Sequence, residues 1–146
     1  MNKMQQQVAE FHYLFRLPVK DKVELPSQDR LELRARLIEE ETKETCDALR
    51  NKDVIGTADG LADLCYVVFG AALELGIDLQ KVFDEVHASN LTKAWKEHEL
   101  SSIREDCVYE QMDTNCYVVR DQYGKVIKSP NYSRANINKT LETDCG

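Results

Sequence analysis

Apolar residues return every three or four positions through the first half of the chain, and prolines, glycines or polar runs interrupt the pattern. Met4, Val8, Phe11 and Leu14/Phe15 form one such stripe, closed by Pro18, which predicts a first amphipathic helix over about residues 2–16. After a linker to Pro26, Ser27 is placed to cap a long second helix ending near Asn51. Leu31, Ala35, Ile38, Thr42, Thr45 and Leu49 trace its expected buried stripe, and Leu37, Glu41, Glu44 and Ala48 form a strip beside it. At least two glutamates therefore sit at the edge of the buried face, where a purely structural helix more often carries Leu or Ala. Asp53 is the expected N-cap of a third helix, apolar on nearly every side from Ile55 to Leu75 and stopped by Gly76. Such a helix is expected to be central and buried on most sides. A fourth begins around Asp78, with Leu79, Val82, Phe83 and Val86 inward, and runs into residues 87–93.

The last third changes character. Cys116–Arg120 and Lys125–Lys128 flank Asp121-Gln122-Tyr123-Gly124, a short hairpin signal. Ser129–Tyr132 reads as a turn, and a short last helix is expected to begin at Ser133. The predicted fold is all-α, a four- to five-helix bundle with a small C-terminal β-hairpin. At 146 residues one domain is expected, with a helical core over about 2–97 and a hairpin and tail over about 98–146.

Charge adds the chemistry. Glu39-Glu40-Glu41 with Glu44, and Asp59 with Asp63, concentrate carboxylates on two consecutive helices. Like charges one turn apart share a helix face and repel by roughly 1 kcal/mol in water, and by more when half-buried. A hard divalent cation, Mg²⁺ or Mn²⁺, suits such an all-oxygen set. Arg34 or Arg36 are the protein cations that could instead neutralise the aspartates. The net charge of −7 argues against a duplex nucleic-acid partner, which would require a basic face. Five cysteines, an odd number without a C-x-x-C pair, read as reduced packing residues. His12, His87 and His98 lack a mutual spacing suited to zinc. The N-terminus has no apolar signal-peptide core and no stretch is expected to span a membrane, so a cytoplasmic location is expected.

Arg36–Glu44, then Asp59-Gly60-Leu61-Ala62-Asp63, then Gly76-Ile77-Asp78-Leu79, Val86–Lys93 and Gly124–Pro130 together resemble the E-E-x-x-E … E-x-x-D arrangement and following segments of the all-α nucleoside triphosphate pyrophosphohydrolases. That superfamily includes MazG, the dimeric dUTPases and phosphoribosyl-ATP pyrophosphohydrolase, and the resemblance covers roughly residues 30–132. It implies Glu41, Glu44 and Asp63 as metal ligands and Glu40 as a further ligand or water-orienting base. Where the family usually carries Glu this chain has Gly60, and Asp59, one turn from Asp63, is the expected substitute ligand. Lys93, Lys125 and Lys128 are the expected phosphate partners, with Asn90 donating to a phosphate or sugar hydroxyl, and Tyr66 or Trp95 placed to stack a base. The implied activity is hydrolysis of a nucleoside triphosphate to monophosphate and pyrophosphate. A nucleotide-like metabolite such as phosphoribosyl-ATP, or a non-catalytic dimerisation module, are the alternatives. The apolar third helix adds the expectation of a homodimer or dimer of dimers, its subunits completing a shared bundle.

Overall fold

A computed structural model describes residues 1–142, so Cys145 lies outside the described residues. In chain order the elements are α1 (Lys3–Leu14), α2 (Gln28–Arg50), α3 (Val54–Glu74), α4 (Leu79–Leu91), a 3-10 helix (Glu97–Ser102), β1 (Val108–Asp113), β2 (Cys116–Arg120) and α5 (Ile137–Glu142). The architecture is the expected helical bundle followed by a two-stranded antiparallel hairpin. The chain forms two compact units, Met1–Lys81 with the described residues from Lys139, and Val82–Asn138.

Helix ends follow local chemistry. Asn2 caps α1, its side chain accepting the Gln5 N–H at 2.8 Å, and Asp53 caps α3 by accepting the Gly56 N–H at 3.0 Å. Ser27 precedes α2 without making a side-chain cap. Gly76, at φ +67°, closes α3 in the left-handed conformation that favours glycine.

The buried faces differ from those predicted. In α1 the inner residues are Gln5, Val8, Ala9 and His12, whereas Met4, Leu14 and Phe15 are exposed. The polar pair is inside because partners await it there. Gln5 donates to the Ile77 carbonyl at 2.7 Å and accepts the Leu79 N–H at 3.1 Å, and His12 lies 2.8 Å from the Pro18 carbonyl through Nδ1. In α2 the inner face runs through Arg34, Leu37, Ile38, Glu41, Thr45 and Ala48, turned toward the glutamate-bearing strip, so Ala35, Thr42 and Leu49 face outward.

Arg34 and Arg30 reach a glutamate at the far end of α3. Glu74 is fully buried and hydrogen-bonded by both, with Arg34 Nε at 2.8 Å and Arg30 Nε at 3.1 Å. Burial works to raise the Glu74 carboxyl, and the hydrogen bonds and charges of the two arginines outweigh it, holding it below the usual carboxylate range. This network ties α2 to α3 beside a core of Val8, Ala9, Phe69 and Leu73.

Helix α3 is not buried on most sides. Its second half supplies Phe69, Gly70, Ala72 and Leu73 to the interior, while Val54 (81%), Ile55 (84%) and Leu61 (50%) are exposed. At 21 residues it is also long and apolar enough, by length and composition, to cross a membrane, contrary to the expectation that no stretch would be. In α4, Phe83 and Val86 are exposed and Ser89 is the buried residue, so the predicted inner side there is only partly right.

In the second unit the strand partner of β2 is β1, which precedes it, in the register Val108↔Arg120 to Asp113↔Cys116, and the predicted partner Lys125–Lys128 meets β2 through isolated backbone contacts. The predicted turn at 121–124 exists, closed by Asp121 N–H to Lys125 O at 3.0 Å, and its second arm joins β2 through the bridge between Arg120 and Val126 and the Ile127 N–H donated to the Val119 carbonyl at 2.8 Å, without forming a named strand. Trp95, Cys107 and Val119 form the core of this unit, with Trp95 Nε1–H donating to the Ile127 carbonyl at 2.8 Å. The last helix starts at Ile137, four residues later than predicted. Cys46, Cys65, Cys107 and Cys116 are free thiols.

Candidate active site

Glu40, Glu41 and Glu44 project from α2, and Asp59 and Asp63 from α3, the helix packed against it. Glu41 is half-buried; the other four are exposed. Burial, then the charges of Asp63, Glu44, Glu40 and Asp59 in that order, push the Glu41 carboxyl above its usual range. Because the largest of those charges comes from the other helix, the two acidic clusters address one another across the α2–α3 seam.

The seam is narrow at Gly60. A Cβ there would stand 2.6 Å from Thr45 Oγ1 and 3.1 Å from Thr45 Cα, so only glycine accommodates this approach. Thr45 is buried and donates its hydroxyl to the Glu41 carbonyl at 2.6 Å. The residue that departs from the E-x-x-D arrangement therefore serves the helix contact, while Asp59 and Asp63 remain accessible on the same helix.

Protein cations near the clusters are engaged elsewhere. Arg34 binds Glu74, Arg36 pairs with Glu32 at 3.9 Å, and Lys43 and Arg50 both pair with Asp47, at 3.0 and 3.6 Å. Neither arginine neutralises the aspartates. Among the described residues, none of the five carboxylates has an ion-pair partner, and no three His, Cys, Asp or Glu side chains already stand close enough to hold a metal. The donor set is nonetheless all carboxylate oxygen, the chemistry that suits Mg²⁺ or Mn²⁺.

The model of the phosphoribosyl-ATP pyrophosphohydrolase family matches residues 8–90. The chain belongs to that family. The match spans the second half of α1, all of α2 and α3 and most of α4, including both acidic clusters, and it makes the chain a member of a pyrophosphohydrolase family, enzymes that open acid anhydrides. No curated protein matches the chain.

Apart from Tyr66 on α3, the other residues singled out by the sequence lie in the second unit of this family member. Asn90 is exposed near the end of α4, and Lys93 is half-buried just beyond it, its N–H donating to the Asn90 carbonyl at 3.1 Å. Lys125 is exposed in the turn, its N–H held by Asp121 Oδ1 at 3.0 Å. Lys128 sits with Nζ 5.2 Å from the Tyr132 ring centre and lines a cavity of about 530 Å³. Trp95 is only 4% exposed, which removes it as an open stacking surface, and Tyr66 meets Phe11 edge to face at 5.6 Å. Sequence reasoning missed Arg134 on that cavity and the Glu74 network; a lone glutamate ending an apolar helix was the available signal for the latter.

Proposed function

We propose that the chain is a Mg²⁺- or Mn²⁺-dependent pyrophosphohydrolase that splits a nucleoside triphosphate, ribo or deoxy, between its α and β phosphates, giving the monophosphate and pyrophosphate. One observation carries the reading: Glu41 is loaded by Asp63 and Asp59 across the helix seam and by Glu44 and Glu40 on its own helix, and among the described residues none of the five has an ion-pair partner. Family membership supports the reaction class and favours, as a second reading of substrate, a phosphoribosyl-ATP-like nucleotide.

Glu41, Glu44, Asp63 and Asp59 are the residues that would hold the metal. When bound, a divalent ion lowers the pKa of coordinated water and screens phosphate charge. Glu40, exposed and adjacent to Glu41 on α2, is assigned to accept the proton of the attacking water. The α2–α3 contact at Gly60 and Thr45 fixes the helices that carry these carboxylates, so their separation is set before substrate arrives.

The exposed apolar residues of α1 and α3, among them Leu14, Ile55 and Leu61, are assigned to a second copy of the chain. The four free thiols among the described residues fit a reducing, cytoplasmic setting.

The test is pyrophosphate release from ribo- and deoxyribonucleoside triphosphates and phosphoribosyl-ATP, with and without Mg²⁺ or Mn²⁺, alongside Glu41→Gln. Metal-dependent release that vanishes in the variant is expected, and the preferred substrate separates the two readings. Silence across the panel, with no rise in melting temperature on adding metal, would refute both and leave a non-catalytic helical module.

A further inference from the structure

The geometry points to a phosphate-binding pocket in the second unit that works without metal, built around Lys128 and Arg134. Both side chains line the cavity of about 530 Å³ that also includes Trp95, Ser102 and Tyr132. In a chain of net charge −7, neither of these two has an ion-pair partner among the described residues, and no carboxylate lines the cavity they share. Two unneutralised cations at one concave site attract an anion, and the planar arginine fork suits two oxygens of a phosphate.

The segment that carries them is fixed. Ser129 Oγ donates to the Thr92 carbonyl at 3.3 Å, and Ser133 N–H donates to Thr92 Oγ1 at 2.9 Å. Ser89 Oγ donates to the Ser133 carbonyl at 2.7 Å and lies 3.1 Å from the Tyr132 hydroxyl. Lys128 is steadied over the Tyr132 ring. Glu99, a buried acid hydrogen-bonded to Asn131 of the same segment, also takes the Lys96 N–H at 2.7 Å and does not line the cavity. Its charge is thus stabilised by its own donors and leaves the two cations free.

The ligand class is a phosphate group rather than a base, because Trp95 is nearly covered and the Tyr132 face is occupied by Lys128. Choosing phosphate among anions rests on the pyrophosphohydrolase reading and extends it. Lys125, although close in sequence, does not line this cavity.

Trp95 is the only tryptophan and lines the pocket, so its fluorescence reports occupancy. The full chain would be titrated with inorganic phosphate, pyrophosphate and AMP in EDTA at constant ionic strength, with acetate as the non-phosphate anion. A saturable change with the phosphate probes is expected. It should weaken about ten-fold in both Lys128→Gln and Arg134→Gln, the loss of one charge-assisted hydrogen bond, and stay unchanged in Arg50→Gln. Comparing AMP with pyrophosphate identifies which end of the reaction supplies the phosphate. No saturable response, an equal response to acetate, or undiminished binding in both pocket variants with unaltered circular dichroism would overturn the proposal. Since the assay contains no divalent metal and no turnover, its failure leaves hydrolysis at Glu41 untouched, and a hydrolytically silent chain that binds phosphate here would keep the pocket.

Discussion

Glu41 is an unfavourable charge without a counter-ion and an asset with one. Its carboxyl stands above the ordinary value of 4.5, so the folded chain holds its proton more tightly than the unfolded chain, and stability falls as pH rises through that window. Metal-free Glu41→Gln is therefore expected to melt at or above wild type at pH 7, the difference closing as pH drops below 4.5. With Mg²⁺ the order should reverse, because binding to the native state raises only the wild-type melting temperature. A variant that melts well below wild type without metal would remove the repulsion argument. His12 has the opposite pH signature. Burial is the leading cause that lowers it from 6.5; the hydrogen bond between its Nδ1 and the Pro18 carbonyl works to raise it, and Nε2 lies 3.4 Å from Arg34 Nη2. Glu74 lies in the same network and pulls the other way, and Arg34 and Arg30 add to the lowering. The unfolded chain binds the proton more readily, so this contribution is complete above pH 6.5 and is lost as pH falls through the lowered value. Melting temperature against pH should decline below 6.5 in wild type and be flatter there in His12→Gln; parallel curves would show that His12 is not the titrating group.

Helices α2 and α3 meet where Thr45 faces Gly60, and a single methyl tests how much that approach matters. Gly60→Ala forces a Cβ to 3.1 Å from the Thr45 Cα, which cannot yield as a flexible side chain does. Overpacking of this kind costs about 1–3 kcal/mol, offset in part by the roughly 1 kcal/mol that alanine gains over glycine in a helix. A lower urea midpoint is expected, together with a smaller Mg²⁺-induced rise in melting temperature because the acidic clusters are pushed apart. Equal stability in the variant would mean that the seam has slack. The sequence made the helices legible because caps and stops are local: Asp53 and Gly76, both read from the sequence, act through neighbours within a few residues, although the expected cap Ser27 makes no side-chain hydrogen bond and the cap Asn2 went unread. It did not reveal which face turns inward. Gln5 is interior because Ile77 and Leu79, distant in sequence, supply its partners, His12 because the chain turns back at Pro18 just beyond the helix, and Arg34 because Glu74 does. β1 escaped notice because all six of its residues are exposed, leaving no buried-face alternation to read. The confrontation of Glu41 with Asp63 was legible from spacing on two neighbouring helices, whereas Arg134 depended on a loop whose course is set by hydrogen bonds to residues far off in sequence, Ser89, Thr92 and Glu99 among them.

At the scale of the whole molecule, the open question is what covers the first half of α3. Its length and composition would suit a bilayer, yet Asp59 and Asp63 lie within it, and each carboxylate near a bilayer centre costs roughly 2.5–3.5 kcal/mol. Burying Ile55, Leu61 and their neighbours against a second copy recovers apolar surface at about 25 cal/mol per Å² and leaves the aspartates free at the seam edge. A second copy is therefore the better occupant. Light scattering on the purified chain without detergent is expected to give twice the mass of 16.8 kDa, or a multiple of that dimer. Leu61→Glu should shift it toward the monomer, because Leu61 is half exposed and a charge there opposes a partner without disturbing the buried core around Phe69 and Leu73. A monomeric wild type would refute the dimer, and recovery of the chain only from a membrane fraction, requiring detergent, would reassign α3 to the bilayer.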